Sequence, residues 1–103
     1  NVIAQGPALL LVNCDEALVD GFSLRGQTNQ LASGVCFRIA SNETYSGLRI
    51  SHVSARDVTE AGIVLEVTGK ATGTLTDYLV TGNLARVVDR IQGQRGLVGN
   101  NLP

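Results

Sequence analysis

Three six-residue stretches of this chain lie over one another: Gly34-Val35-Cys36-Phe37-Arg38-Ile39, Gly62-Ile63-Val64-Leu65-Glu66-Val67 and Arg86-Val87-Val88-Asp89-Arg90-Ile91. Their first residues are 28 and 24 positions apart, and a fourth, Ala8-Leu9-Leu10-Leu11-Val12-Asn13, begins 26 positions before the first. Self-similarity at this period means one small unit stacked on copies of itself. Such a unit cannot bury its apolar side alone, so its neighbours must cover it.

A second strand follows the first in each unit: Ala17–Leu24, Leu48–Ala55 and Gly73–Val80. Aligned, they share apolar residues at Val19, Ile50 and Leu75, then at Phe22, Val53 and Tyr78, then at Leu24, Ala55 and Val80. Two inward residues are separated by two outward ones, and strict alternation follows. Simple pleating would alternate throughout, so the spacing predicts a strand bent between the two outward residues. Segments rich in Gly, Asn, Ser and Thr, at 26–30, 40–44, 68–72, 82–83 and 93–96, supply the corners. No stretch of ten residues carries a helical period; 54–61 comes nearest, and its β-branched residues argue against it.

The composition agrees. Leu, Val, Ile and Ala dominate the apolar residues, with Gly at 12, two Phe, two Tyr, and neither Trp nor Met. A formal net charge of −1 gives no electrostatic case for nucleic acid or an anionic membrane. No apolar run reaches the roughly 20 residues needed for a bilayer helix. The start, Asn1-Val2-Ile3-Ala4-Gln5-Gly6, has neither Met nor a basic region and reads as the middle of a strand, as in a piece of a longer protein. Cys14 and Cys36 are the only cysteines, with no His or Cys cluster beside them, so they are read as free thiols and no metal site or cofactor is expected.

One geometry satisfies these constraints: a single all-β domain over 1–103, a right-handed parallel β-helix of three to four coils with like residues in columns. The predicted inward columns are Val35-Ile63-Val87, Phe37-Leu65-Asp89 and Ile39-Val67-Ile91, with Asp89 breaking the second. The segments Val19–Gly26 and Leu48–Ala55 resemble the recurrent coil of the pectate-lyase-like family of single-stranded right-handed β-helices. Among its members, the chain looks most like the trimeric tailspikes and tail fibres of bacteriophages. The resemblance implies a homotrimer, a virion or otherwise extracellular location, and a role in host-surface attachment. Its motif is architectural, and lyases, hydrolases and non-catalytic stems share it.

Two outward columns, Cys36-Val64-Val88 and Arg38-Glu66-Arg90, suggest an exposed apolar stripe with a charged rim, read as a subunit interface. The plainer reading of the charged column is a solvated ladder. A polysaccharide-cleaving member would need paired carboxylates. Asp20 and Asp77 are the candidates on the bent-strand face, with His52 between them and in hydrogen-bonding reach of Asp77. Tyr45, in a corner, is the one aromatic expected outside, where it could stack on a sugar. The competing readings are therefore a trimerising structural module, a slice of a polysaccharide lyase or glycoside hydrolase, and a monomeric carbohydrate-binding β-helix.

Overall fold

The computed structural model describes residues 6–26, 31–91, 96–99 and 101. The described residues form twelve strands: β1 (Gly6–Val12), β2 (Leu18–Asp20), β3 (Ser23–Arg25), β4 (Leu31–Ile39), β5 (Thr44–Ser46), β6 (Arg49–Ser51), β7 (Ser54–Arg56), β8 (Ala61–Val67), β9 (Thr74–Thr76), β10 (Tyr78–Thr81), β11 (Val87–Asp89) and β12 (Gly96–Gly99). Among the described residues there is no helix, and none therefore long and apolar enough to cross a membrane. The described residues are all-β, and every strand pairing among them is parallel.

Four sheets result. Sheet A has the order β1-β4-β8-β11 and sheet B the order β12-β10-β6-β2, while sheets C and D are the pairs β3-β7 and β5-β9. From β4 onward the chain visits A, D, B and C, then A, D and B again, each strand lying beside the one laid down a round earlier. Because parallel partners point the same way, every round must return to its starting side before pairing. The corners supply that return.

The registers put like residues in rows. Leu9, Val35, Ile63 and Val87 are successive Cα partners in sheet A, as are Leu11, Phe37, Leu65 and Asp89. In sheet B the inward row is Val19, Ile50, Val80 and Val98. Leu24 pairs with Ala55 in sheet C and Tyr45 with Leu75 in sheet D. One apolar cluster lies between the sheets, with Val35, Phe37, Ile39, Ile50, Ile63, Leu65, Leu75 and Val80 fully buried. Asp89 at the end of its row is exposed; it accepts a hydrogen bond from the Tyr78 hydroxyl at 2.7 Å and one from its own segment at Ile91 N, 3.0 Å. Ile39 pairs with Val67 as expected, but β11 stops at Asp89, so Ile91 reaches the core without a ladder place.

The bent strand is real and its cause is visible. Asp20 and Ser51 are outward partners, and the residues after them, Gly21 and His52, are left-handed at φ 80° and 53°. Gly82 follows Thr81 in the same way at φ 72°. A left-handed residue turns the chain between two outward positions and starts the next strand. A second set of such corners, Glu16 (φ 51°), Gly47 (φ 82°) and Asp77 (φ 53°), lies between sheets D and B. Backbone bonds tie it from round to round, Glu16 N to Ser46 O at 2.8 Å and Gly47 N to Thr76 O at 3.2 Å.

That second set corrects the third repeat. Gly73–Val80 is not the partner of Leu48–Ala55: Leu79 and Val80 pair with Arg49 and Ile50, and Leu75 belongs with Tyr45. Phe22 then stands at the end of a row with Val53 and Asn83 rather than Tyr78, and at that end of the stack it is left 46% exposed. Asn83 fills that row with polar bonds. Its Oδ1 accepts from Val53 N at 3.0 Å, and its Nδ2 donates to Ile50 O at 3.1 Å and to Asn101 Oδ1 at 2.8 Å. The tail continues the ladder: Gly96–Gly99 pairs with Tyr78–Thr81, and Asn101 stacks on Asn83.

Candidate functional site

Sheet A was expected to expose an apolar stripe. Its register is as read, Cys36 beside Val64 and Val64 beside Val88, but Cys36 and Val64 are only 3% and 2% exposed. They pack with Ala61, and Val88 leans on the group. The cause is a fold in the sheet. A Cβ on Gly62 would stand 2.6 Å from the Cβ of Ala85, so Gly62 faces inward, and so does its neighbour Ile63. Two consecutive inward residues mean a bend, which brings Ala61 and Val64 together on the outside in a re-entrant corner.

Charge closes that corner. Arg38 Nε meets Glu66 Oε2 at 2.7 Å, and Arg90 Nη1 lies 2.6 Å from Glu60 Oε1 and 3.8 Å from Glu66 Oε1. Glu60 and Glu66 flank Ala61 and Val64 along the chain, so a guanidinium near both lies across the pocket between them. The hydrogen bond to Glu66 raises the Arg38 guanidinium further above its usual range. Burial, reinforced by Glu66, pushes the Cys36 thiol up to about 11. Cys36, Val64, Val88, Arg38, Glu66 and Arg90 are therefore a satellite core under an ion-pair lid within one chain, not an open interface. Both cysteines are free.

The bent-strand face brings together a different pair from the one expected. His52 Nδ1 is 2.8 Å from Asp20 Oδ1, and Ser51 Oγ donates to the same oxygen at 2.8 Å. These bonds, that of His52 first, hold the Asp20 carboxyl below its usual range. Asp77 takes no part. It stands in the column of Gly47 and Glu16, one corner away from His52, and its backbone carbonyl accepts from Arg49 Nη1 at 2.7 Å. The slip of the third repeat had aligned it with His52.

Chemically, a histidine whose Nδ1 donates to a carboxylate presents Nε2 as a base. Ser51 sits on the carboxylate rather than on Nε2, so the trio does not have the arrangement that activates a serine. Among the described residues no group of three or more His, Cys, Asp or Glu could hold a metal ion. Asp20 and His52 are solvated, with His52's side chain 78% exposed.

Tyr45 is not outside. It is 6% exposed in the row with Leu75, its hydroxyl 2.7 Å from Ser41 Oγ and 3.3 Å from Glu43 Oε2. It packs the core and offers no sugar platform.

The exposed apolar row lies elsewhere, on the outside of sheet B. Leu18, Arg49, Leu79 and Leu97 are successive Cα partners, and the three leucines are 70%, 38% and 55% exposed. Arg49 interrupts the row, yet its Nη1 is folded onto the carbonyls of Leu48 and Asp77 at 3.0 and 2.7 Å. The row was legible in principle, since Leu18 and Arg49 sat one place before two correctly aligned residues. Leu79 stands beside Arg49, one corner from the place its repeat suggests, and that offset conceals the row.

No protein-family model, curated protein or solved structure matches the chain.

Proposed function

We propose that this chain is a short right-handed parallel β-helix serving as a structural stem module of a surface-attachment fibre, of the pectate-lyase-like tailspike or tail-fibre kind. The cyclic order in which the chain visits its sheets, with every pairing parallel, supports the β-helix. The row Leu18, Leu79 and Leu97 carries the functional reading. A row of leucines along the stacking direction, broken only by an Arg49 whose Nη1 is held on backbone carbonyls, suits three copies packed in register about a common axis, each covering the apolar row of the next. In a virion the module would extend the spike and lock its chains while a neighbouring region engages the host surface.

Light scattering or sedimentation equilibrium at micromolar concentration tests this. The expected mass is three times that of one chain, and Leu79→Glu is expected to reduce it to one while the β circular-dichroism spectrum persists. A stable wild-type monomer would end the trimer reading and leave the single-chain binding module in its place.

The Asp20–His52 contact favours a second reading, a slice of a polysaccharide-degrading enzyme. Here His52 would act as a base and further catalytic groups would come from elsewhere in the parent. Release of reducing ends from bacterial capsule or lipopolysaccharide, abolished by Asp20→Asn, would establish it.

A further inference from the structure

The outer edge of sheet C stacks like charges. Arg25 and Arg56 are Cα partners in the β3–β7 ladder, about one strand spacing of 4.8 Å apart, and both are exposed. Directly opposed like charges weaken a sheet. A third arginine follows on the next round. Ser54 bridges Leu84, and two residues further along each segment stand Arg56 and Arg86. The residues just before them, Ala55 and Ala85, lie side by side, since a Cβ on Gly62 would be 3.3 and 2.6 Å from their Cβ atoms.

The carboxylates nearby leave this row under-neutralised. Asp57 Oδ2 meets Arg25 Nε at 2.8 Å. Glu60 commits its carboxylate to Arg90 at 2.6 Å and gives Arg86 only its backbone carbonyl at 3.4 Å. Arg56 has no ion pair among the described residues. The whole chain has only 8 Lys and Arg, so three of them crowded on one edge is a local concentration of charge in a molecule of net charge −1. Beside the row, Ser23 and Ser54 are Cα partners on the same outward face, adding a row of hydroxyls.

We propose that the Arg25–Arg56–Arg86 row with Ser23 and Ser54 is a binding site for an acidic polysaccharide running along the stacking direction, its carboxylate or sulfate groups meeting successive arginines. Guanidinium forks suit paired oxyanion oxygens, and the serines suit sugar hydroxyls. One sugar residue is about as long as the spacing between neighbouring strands, so a regular polymer can repeat its contacts round by round. A nucleic acid fits less well, because among the described residues the one exposed aromatic beside this row, Phe22, stands at the end of the stack and gives successive bases no repeated platform. The proposal deepens the surface-attachment reading by naming the polymer's chemistry, and it takes only the choice of a glycan from that reading.

Titration calorimetry of the full chain tests it, with heparin oligosaccharides, polygalacturonate oligomers, neutral dextran and a single-stranded oligonucleotide as probes. Binding to the sulfated or the carboxylated glycan is expected, and which of the two binds identifies the anionic group. Dextran is expected not to bind, and affinity should fall with added salt. Arg56→Gln should weaken binding about tenfold and lower the salt dependence by about one ion, with Lys70→Gln as the charge-matched control. The site is refuted if neither acidic glycan binds, if Lys70→Gln weakens binding as much as Arg56→Gln, or if the oligonucleotide binds more tightly than both. A trimer that ignores acidic glycans loses this site and keeps the stem reading; a monomer that binds them does the reverse.

Discussion

A methyl group at Gly62 would meet the Cβ of Ala85 at 2.6 Å and its Cα at 3.2 Å, where β8 passes close to the segment ahead of β11. Gly62→Ala is therefore expected to destabilise the fold by about 1–3 kcal/mol, read as a lower urea midpoint. The corner residue Asp77 should behave the other way. It holds φ 53° in a column whose neighbour is Gly47, and it is the backbone carbonyl, not the carboxylate, that binds Arg49. A left-handed conformation costs a non-glycine residue about 1 kcal/mol, against about 0.5–1 kcal/mol for the freedom glycine loses on folding. Asp77→Gly should leave the urea midpoint unchanged or slightly raised; a marked loss would show that the carboxylate has a task. The two thiols should also part company. Cys36 is buried and its thiol pushed up to about 11, whereas Cys14 is only half-buried. Thiol labelling at pH 8 is expected to modify Cys14 alone until denaturant is added.

Between elements, the bond from the Tyr78 hydroxyl to Asp89 joins β10 to β11. Burial, then Asp89, pushes the Tyr78 hydroxyl up from 10.0 to about 12. The folded state thus favours the neutral phenol, so this contribution is whole below pH 10 and drains away as pH rises through about 12. Cys36 adds a loss of the same sign between 9.0 and about 11. Tyr78→Phe is expected to flatten the upper part of the alkaline unfolding curve. Asp20 acts at the other extreme, since its lowered folded value means that its support is present above the ordinary carboxyl range and fades as pH falls through the folded one. Val64→Asp should unfold the chain by about 3 kcal/mol or more, at every protein concentration alike, because the carboxylate would be shut in with Cys36 and Ala61. Sheet A could be read from the sequence, since Val35, Ile63 and Val87 differ little in kind and pair in one row. Sheet B could not be read throughout. Two of the left-handed corners in each round, one near Gly47 and one near His52, both produce two outward residues between inward ones. The pattern around Leu75 and Tyr78 therefore fits either corner, and only long-range pairing decides. The buried stripe was illegible for a related reason, because alternation predicts which side a residue faces but not whether the sheet folds back over that side.

At the scale of the molecule, the principal extents are 37 × 30 × 17 Å. Four rungs at the usual strand spacing span about 14 Å, so the thin direction is the stacking direction and the chain is a slab wider than it is tall. Its first rung leaves Leu10, Val12, Leu18 and Phe22 exposed, and its last leaves Leu84, Leu97 and Val98 so. Both ends offer parallel edges, and they are unlike each other. Nothing in such a ladder selects a final length. A whole round of about thirty residues added or removed at the turn around Gly69 meets the same neighbours above and below, whereas one extra residue inside β8 reverses every side chain beyond it. Descent by this architecture should then proceed in quanta: relatives would differ in height by entire storeys while keeping the floor plan of each.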